Sequence, residues 1–133
     1  MRHNLSEQEL VQKVKPLLLK KYEVFEEVKI FTRSIDLILK KKDTIIAVEF
    51  KLRNWKKAFE QIMDYQLVTD YSYLCIPKTK LKEDTLLLLK ERGIGLLTYD
   101  LETNILVEEV KPSSSKEKVD FYRDYLFQKV LKL

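Results

Sequence analysis

The chain is poor in the residues that build cross-linked or metal-caged scaffolds. One cysteine, Cys75, and one histidine, His3, among 133 residues exclude a disulfide framework and zinc sites assembled from several Cys or His ligands. Two glycines and three prolines exclude collagen-like or low-complexity character. No glycine-rich phosphate loop is present. No uninterrupted apolar run approaches the ~20 residues that a membrane helix needs. The opening residues lead into charged helix without an apolar signal core, so a cytoplasmic protein with no membrane contact is expected.

What is present suffices for one packed core: 45% of the residues are hydrophobic, and the length fits a single domain. Lys and Arg number 25 against 21 acids, a mild excess that says little about partners. Its distribution says more. From Arg33 to Lys57 eight bases stand against three acids, Asp36, Asp43 and Glu49. A basic stretch around a few acids suits a polyanion held near a metal or an acid–base site. A solvated, Lys-rich surface is the competing explanation.

Ser6 and Glu9 have the form of a capping box, followed by Leu10, Val14, Leu17 and Leu18 at helical spacing, with Pro16 expected to kink this helix. Tyr22–Phe31, Ile35–Leu39 and Ile45–Leu52 read as strands. If Lys42-Asp43 is a two-residue hairpin turn, cross-strand partners sum to 85. Ile35, Leu37 and Leu39 then face Phe50, Val48 and Ile46 on one apolar face. Asn54 is a candidate cap for a helix over 55–69, with Trp55, Ala58, Ile62, Tyr65 and Thr69 on one side. A strand over 71–76, a helix over 80–92 stopped by Gly93, and strands over 94–99 and 105–110 follow. Pro112-Ser113-Ser114-Ser115 reads as a linker to a final helix over 116–131. The organisation expected is an α/β domain over 1–112, with 113–133 a short linker and a helix packed on or beside it.

The same register sets Asp36 opposite Glu49, with Cβ atoms ~5 Å apart, and Lys51 follows on the same face. Carboxylates this close on apolar strands repel unless a cation or a proton lies between them. Hard oxygen donors suit Mg²⁺ or Mn²⁺, and a nearby amine offers positive charge or a proton acceptor. These are the parts of metal-assisted phosphodiester hydrolysis. A structural ion-pair cluster at a sheet end is the competing reading.

Ile35-Asp36 followed by Val48-Glu49-Phe50-Lys51 resembles the Asp…Glu-x-Lys signature of the PD-(D/E)XK nuclease superfamily, with Ile35 where the name expects Pro. The order helix, three strands, helix, strand matches its αβββαβ core, so the resemblance implies a restriction-endonuclease-like fold with a mixed central sheet flanked by helices. It covers roughly residues 6 to 77. By that resemblance Asp36, Glu49 and the Phe50 carbonyl would ligate Mg²⁺ or Mn²⁺, Lys51 would position or activate water, and Gln61 would support the site. Many members carry an acid on the first helix; Glu7 or Glu9 could match it, and Glu9 already has a capping role, so Glu7 is the candidate. Arg53, Lys56 and Lys57 follow the motif directly and are candidate phosphate contacts. The implied activity is a Mg²⁺-dependent endonuclease acting on DNA, as a homodimer or with a partner subunit. The alternative is a non-catalytic nucleic-acid-binding or assembly module that retains the fold.

Overall fold

Two-residue alternation and helical periodicity alternate along the chain, and each change of period marks a new element. The computed structural model describes residues 5–131, and His3 lies outside them. The elements are α1 (Glu7–Leu18), β1 (Glu23–Ile30), β2 (Arg33–Lys41), β3 (Thr44–Phe50), α2 (Trp55–Tyr65), β4 (Tyr71–Pro77), α3 (Glu83–Glu91), β5 (Gly95–Asp100), β6 (Ile105–Val110) and α4 (Asp120–Leu131). Six strands form one mixed sheet in the order β1-β2-β3-β4-β5-β6. β1, β2 and β3 run antiparallel, β3, β4 and β5 are parallel, and β6 returns antiparallel. The result is one small α/β domain of six strands and four helices.

Two apolar layers hold the sheet. On one face α1 buries Leu10, Val11, Val14 and Leu18 against Leu37, Leu39, Val48 and Phe50. Each such side chain is worth about 1.5–3 kcal/mol when removed from water. On the other face α2 contributes Ala58, Phe59, Ile62 and Tyr65, α3 contributes Leu89, and α4 contributes Leu126 and Val130. The Ser6–Glu9 capping box forms as read, with both hydrogen bonds made. α1 continues through Pro16 to Leu18.

The β2–β3 hairpin has the expected register: Leu37 pairs with Val48, Leu39 with Ile46 and Lys41 with Thr44. Lys42 opens the turn at φ +55. The expected face does not hold at Ile35, which packs in the α2 layer with Ile38 while Leu37 and Leu39 pack under α1. Strict alternation would keep Ile35 with Leu37, so β2 changes face at Asp36. β1 changes face at the same level: Val24 packs on the α1 side and Val28 and Ile30 on the α2 side. Pairing resumes in register across this step, from Glu26↔Leu37 to Val28↔Ile35. Glu27, between them, has φ +49, a left-handed conformation uncommon outside glycine. The tip of the hairpin therefore bends over the helical layer. There Arg33 bonds Asp64 at 2.6 Å and the Phe31 ring meets Tyr122 edge-on at 5.0 Å.

Several boundaries differ from the sequence reading. Among them is the end of α2, which stops at Tyr65 rather than 69 because three-residue bonds such as Leu67 N–H to the Asp64 carbonyl close its last turn. Asn54 does sit at the N-cap of α2, but in a left-handed conformation with no side-chain cap bond. α3 begins at Glu83 because Lys82 is extended, and Glu83 and Asp84 then occupy the first turn, where the helix dipole favours acids. α4 begins at Asp120 because the preceding amides are used elsewhere: Ser115 N–H donates to the Asp70 carbonyl and Val119 N–H to the Leu67 carbonyl. Asp70 anchors this segment through its side chain as well. Its carboxylate accepts from Lys118 at 2.8 Å, Arg123 at 3.0 Å and the Ile45 amide at 2.9 Å. Partial burial disfavours the charge, but these donors outweigh it and hold the Asp70 carboxyl below its usual range.

Among the described residues no helix is long and apolar enough to cross a membrane. Asp70→Ala removes the common acceptor of two cations and an amide. It should cost about 2–3 kcal/mol of stability and speed amide hydrogen exchange across 115–123 well before global unfolding. Denaturant titration and exchange mass spectrometry measure the two effects.

Candidate functional site

The site lies where the β2–β3 ladder ends. Leu37↔Val48 is its last pair toward this end. One step on, the Asp36 carboxylate accepts the Phe50 amide N–H at 2.8 Å, so a side chain takes over from the sheet. Bending at Asp36 is what turns this carboxyl toward the end of β3.

Glu49 is only 5% exposed. Its Oε1 accepts the Tyr65 hydroxyl at 2.9 Å, and the same hydroxyl lies 3.3 Å from the Ser34 carbonyl. Tyr65 is fully buried, so one phenol ties α2, β2 and β3 together at the carboxylate. Asp36 and Glu49 interact directly. Burial, then the Asp36 charge, pushes the Glu49 carboxyl up to about 8, against the Tyr65 and Lys51 contributions. Burial also raises Asp36, opposed by the Phe50 amide, and the Glu7 charge raises it further. Tyr65 is pushed upward in turn, first by burial and then by the charge of Glu49.

The sequence candidates fall into three groups. Asp36, Glu49 and Lys51 come together: the Lys51 charge favours ionisation of both acids, while its own amide donates to the Cys75 carbonyl at 3.1 Å. Phe50 is held beside them by its amide. Glu7, from α1, faces the same place. Its charge acts on both acids and its Oε2 accepts the Leu52 amide at 3.3 Å. Gln61 is half-buried one turn before Tyr65 on α2, but no hydrogen bond joins it to either acid among the described residues. Arg53, Lys56 and Lys57 are exposed just beyond, at the start of α2.

Two participants escaped the sequence reading. Helical spacing puts Tyr65 on the apolar face, and its polar tip is the only signal that a buried tyrosine needs a partner. Arg33 was counted only as a base; its charge acts on Tyr65 and on Glu49's surroundings from the bent hairpin tip.

Chemically, this is an oxygen-only donor pair in which neither acid ionises easily beside the other. Such a pair fits a hard divalent cation, which would take the place of the proton and satisfy both charges. Among the described residues no three His, Cys, Asp or Glu side chains gather closely enough to cage a metal by themselves. Two carboxylates with water and substrate completing the shell is the Mg²⁺ habit.

No protein-family model matches the chain, and no curated protein matches it. Solved structures do. A protein of unknown function from Silicibacter pomeroyi superposes with a TM-score of 0.69 at 18% identity, over 98% of this chain and 87% of that one. An XisH family protein from Nostoc punctiforme gives 0.56 at 20% identity, over 76% and 98%. An fdxN element excision controlling factor from Anabaena variabilis gives 0.52 at 19% identity, over 76% and 95%. At these identities the fold is what is shared.

The raised Glu49 sets a pH dependence. The folded chain holds a proton that the unfolded chain, near 4.5, releases. Its stabilising effect is complete below that value and is lost as pH rises toward about 8. Without divalent cations, thermal stability should therefore fall across this window, and Glu49→Gln should flatten the slope and melt higher at the alkaline end. Tyr65→Phe removes a bond that favours the ionised acid and should move the transition upward in pH. Calorimetry across the pH range in EDTA tests all three.

Proposed function

We propose that the chain is a metal-dependent nuclease of the PD-(D/E)XK type that hydrolyses phosphodiester bonds in DNA. The observation that carries this reading is the half-buried Asp36 beside the buried Glu49, both within the field of Lys51, at a strand end that opens onto exposed bases. The shared fold with XisH-family proteins supports it at the level of architecture.

Asp36, Glu49 and the Phe50 carbonyl would hold Mg²⁺ or Mn²⁺. When bound, such an ion supplies Lewis-acid polarisation and charge neutralisation at the phosphate. The chain's own residues do the rest. The Lys51 amine sets positive charge beside the attacked phosphate and orients water. Tyr65 fixes the direction of Glu49 through its hydroxyl, which leaves the second carboxylate oxygen for a ligand. Glu7 holds the Leu52 amide and so fixes the segment that follows Lys51. Gln61, one turn from Tyr65 on α2, would bond water or substrate there. Arg53, Lys56 and Lys57 neutralise flanking phosphates. Cutting both strands of a duplex requires two such sites, which a homodimer or a partner subunit would supply.

The neighbour named as an excision controlling factor favours a second reading, a nucleic-acid-binding or assembly module that keeps this fold without cutting. Incubation with linear, nicked, branched and single-stranded DNA in Mg²⁺ or Mn²⁺ separates the two. The nuclease reading expects cleavage that falls at least about 100-fold, some 2.8 kcal/mol of barrier, in Asp36→Ala and in Lys51→Ala. It also expects the metal concentration needed for half-maximal rate to fall as pH rises, because proton and cation compete for Glu49. Cleavage that survives both substitutions would dismiss this site. Salt-dependent binding with no cleavage in either metal would favour the second reading.

A further inference from the structure

Strands β3, β4 and β5 are parallel, so the loops that leave β3 and β4 emerge at one edge of the sheet, the usual place for ligands in such sheets. Between them, from the start of α2 to the start of α3, runs an open groove of about 830 Å³. It begins two residues after Lys51. Its walls carry Arg53, Lys56 and Lys57 from one loop and helix and Lys82 from the other. All four are exposed, and among the described residues none is in an ion pair. Asp84 is the one acid on the lining.

The lining is not simply a charged surface. Trp55, Phe59 and Leu88 give it an apolar floor. The Trp55 indole N–H is shielded from solvent and has no acceptor among the described residues. Unneutralised cations around an apolar, aromatic floor match a ligand that alternates phosphates with flat rings. A duplex presents phosphates but keeps the faces of its bases stacked inside, whereas an unpaired strand offers both. The volume lies within the ~300–1,000 Å³ of small-ligand clefts, which suits one or two bases with their phosphates.

The geometry points to this groove as the track for an unpaired nucleic-acid strand, with a base over Trp55 and Leu88 and phosphates on Arg53, Lys56, Lys57 and Lys82, leading toward Asp36 and Glu49. This rests on the nucleic-acid reading above and adds the form of the substrate: single-stranded, or splayed from a duplex end or branch.

Trp55 is the only tryptophan in the chain, so intrinsic fluorescence reports directly from the groove. The full chain is titrated with oligothymidylate in EDTA, where binding is read without any cleavage. Saturable quenching is expected. Four phosphate contacts predict a slope of log K against log salt of about −3, from −0.7 per contact. A blunt duplex of equal length should bind at least about 10-fold more weakly. Lys82→Glu, on an exposed residue just before α3, should weaken oligothymidylate binding about 5-fold or more and flatten the salt slope, with an unchanged circular dichroism spectrum. An emission unmoved by oligothymidylate, equal quenching by duplex or by polyglutamate, or a Lys82→Glu protein that binds as before would overturn the proposal. Because the titration contains no divalent cation, quenching without later cleavage sinks the nuclease reading alone. Cleavage without quenching sinks the groove alone.

Discussion

A buried carboxyl, Glu49, held beside a half-buried one, Asp36, is the constraint around which this end of the molecule is arranged. Asp36 and Glu49 cannot both ionise in that space without opposing charge. Their surroundings supply partial answers: an amide from Phe50, a hydroxyl from Tyr65 and the field of Lys51. None of these cancels two full charges, and Glu49 keeps its proton well into the neutral range. A domain selected for stability alone would do better with two hydrophobic residues here, since replacing buried charge with well-packed apolar side chains is often neutral or stabilising. The cost makes sense when a ligand that carries positive charge offsets it.

Much of the fold was legible because the patterns are local. The two-residue turn at Lys42-Asp43 fixes the β2–β3 register, and one residue of slip would bury the charged face. The capping box at Ser6 and the φ of +70 at Gly93 are likewise set by near neighbours. What could not be read depends on partners distant in sequence. The start of α4 moves from Lys116 to Asp120 because the Leu67 carbonyl takes the Val119 amide and the Asp70 carbonyl the Ser115 amide just before it, and no local rule contains that competition.

The site divides in the same manner. The hairpin register brought Asp36, Glu49 and Lys51 to one strand end, although the expected Asp36–Glu49 pair lies beyond the last ladder pair, Leu37↔Val48. Tyr65 was not legible, because its hydroxyl and its ring answer to different needs: the ring satisfies the helical apolar stripe, while the hydroxyl serves a carboxylate on another element. The bend at Glu27 and Asp36 was hidden for a further reason. Alternation was assumed to run unbroken through Ile35, yet both strands change face together there without changing register. Pairing arithmetic is blind to such a step. Only the positive φ of Glu27, a non-glycine residue, marks it, and strain of this sort is tolerated where the surrounding contacts over-determine it.

The sheet also separates what holds the fold from what is left open. The Asp70 anchor sits just before β4, at the N-terminal ends of the parallel strands, and there cations are matched to acids. At the C-terminal ends Lys78 still meets Asp100, but Arg53, Lys56, Lys57 and Lys82 around the groove are in no ion pair among the described residues. Pairing those lysines with the two carboxylates would have been the simple electrostatic solution. Instead Glu49 bonds Tyr65 of α2, while the bases that follow β3 stay exposed. Positive and negative charge are therefore held apart across a short distance, an arrangement that a phosphate chain outside and a divalent cation inside would satisfy together.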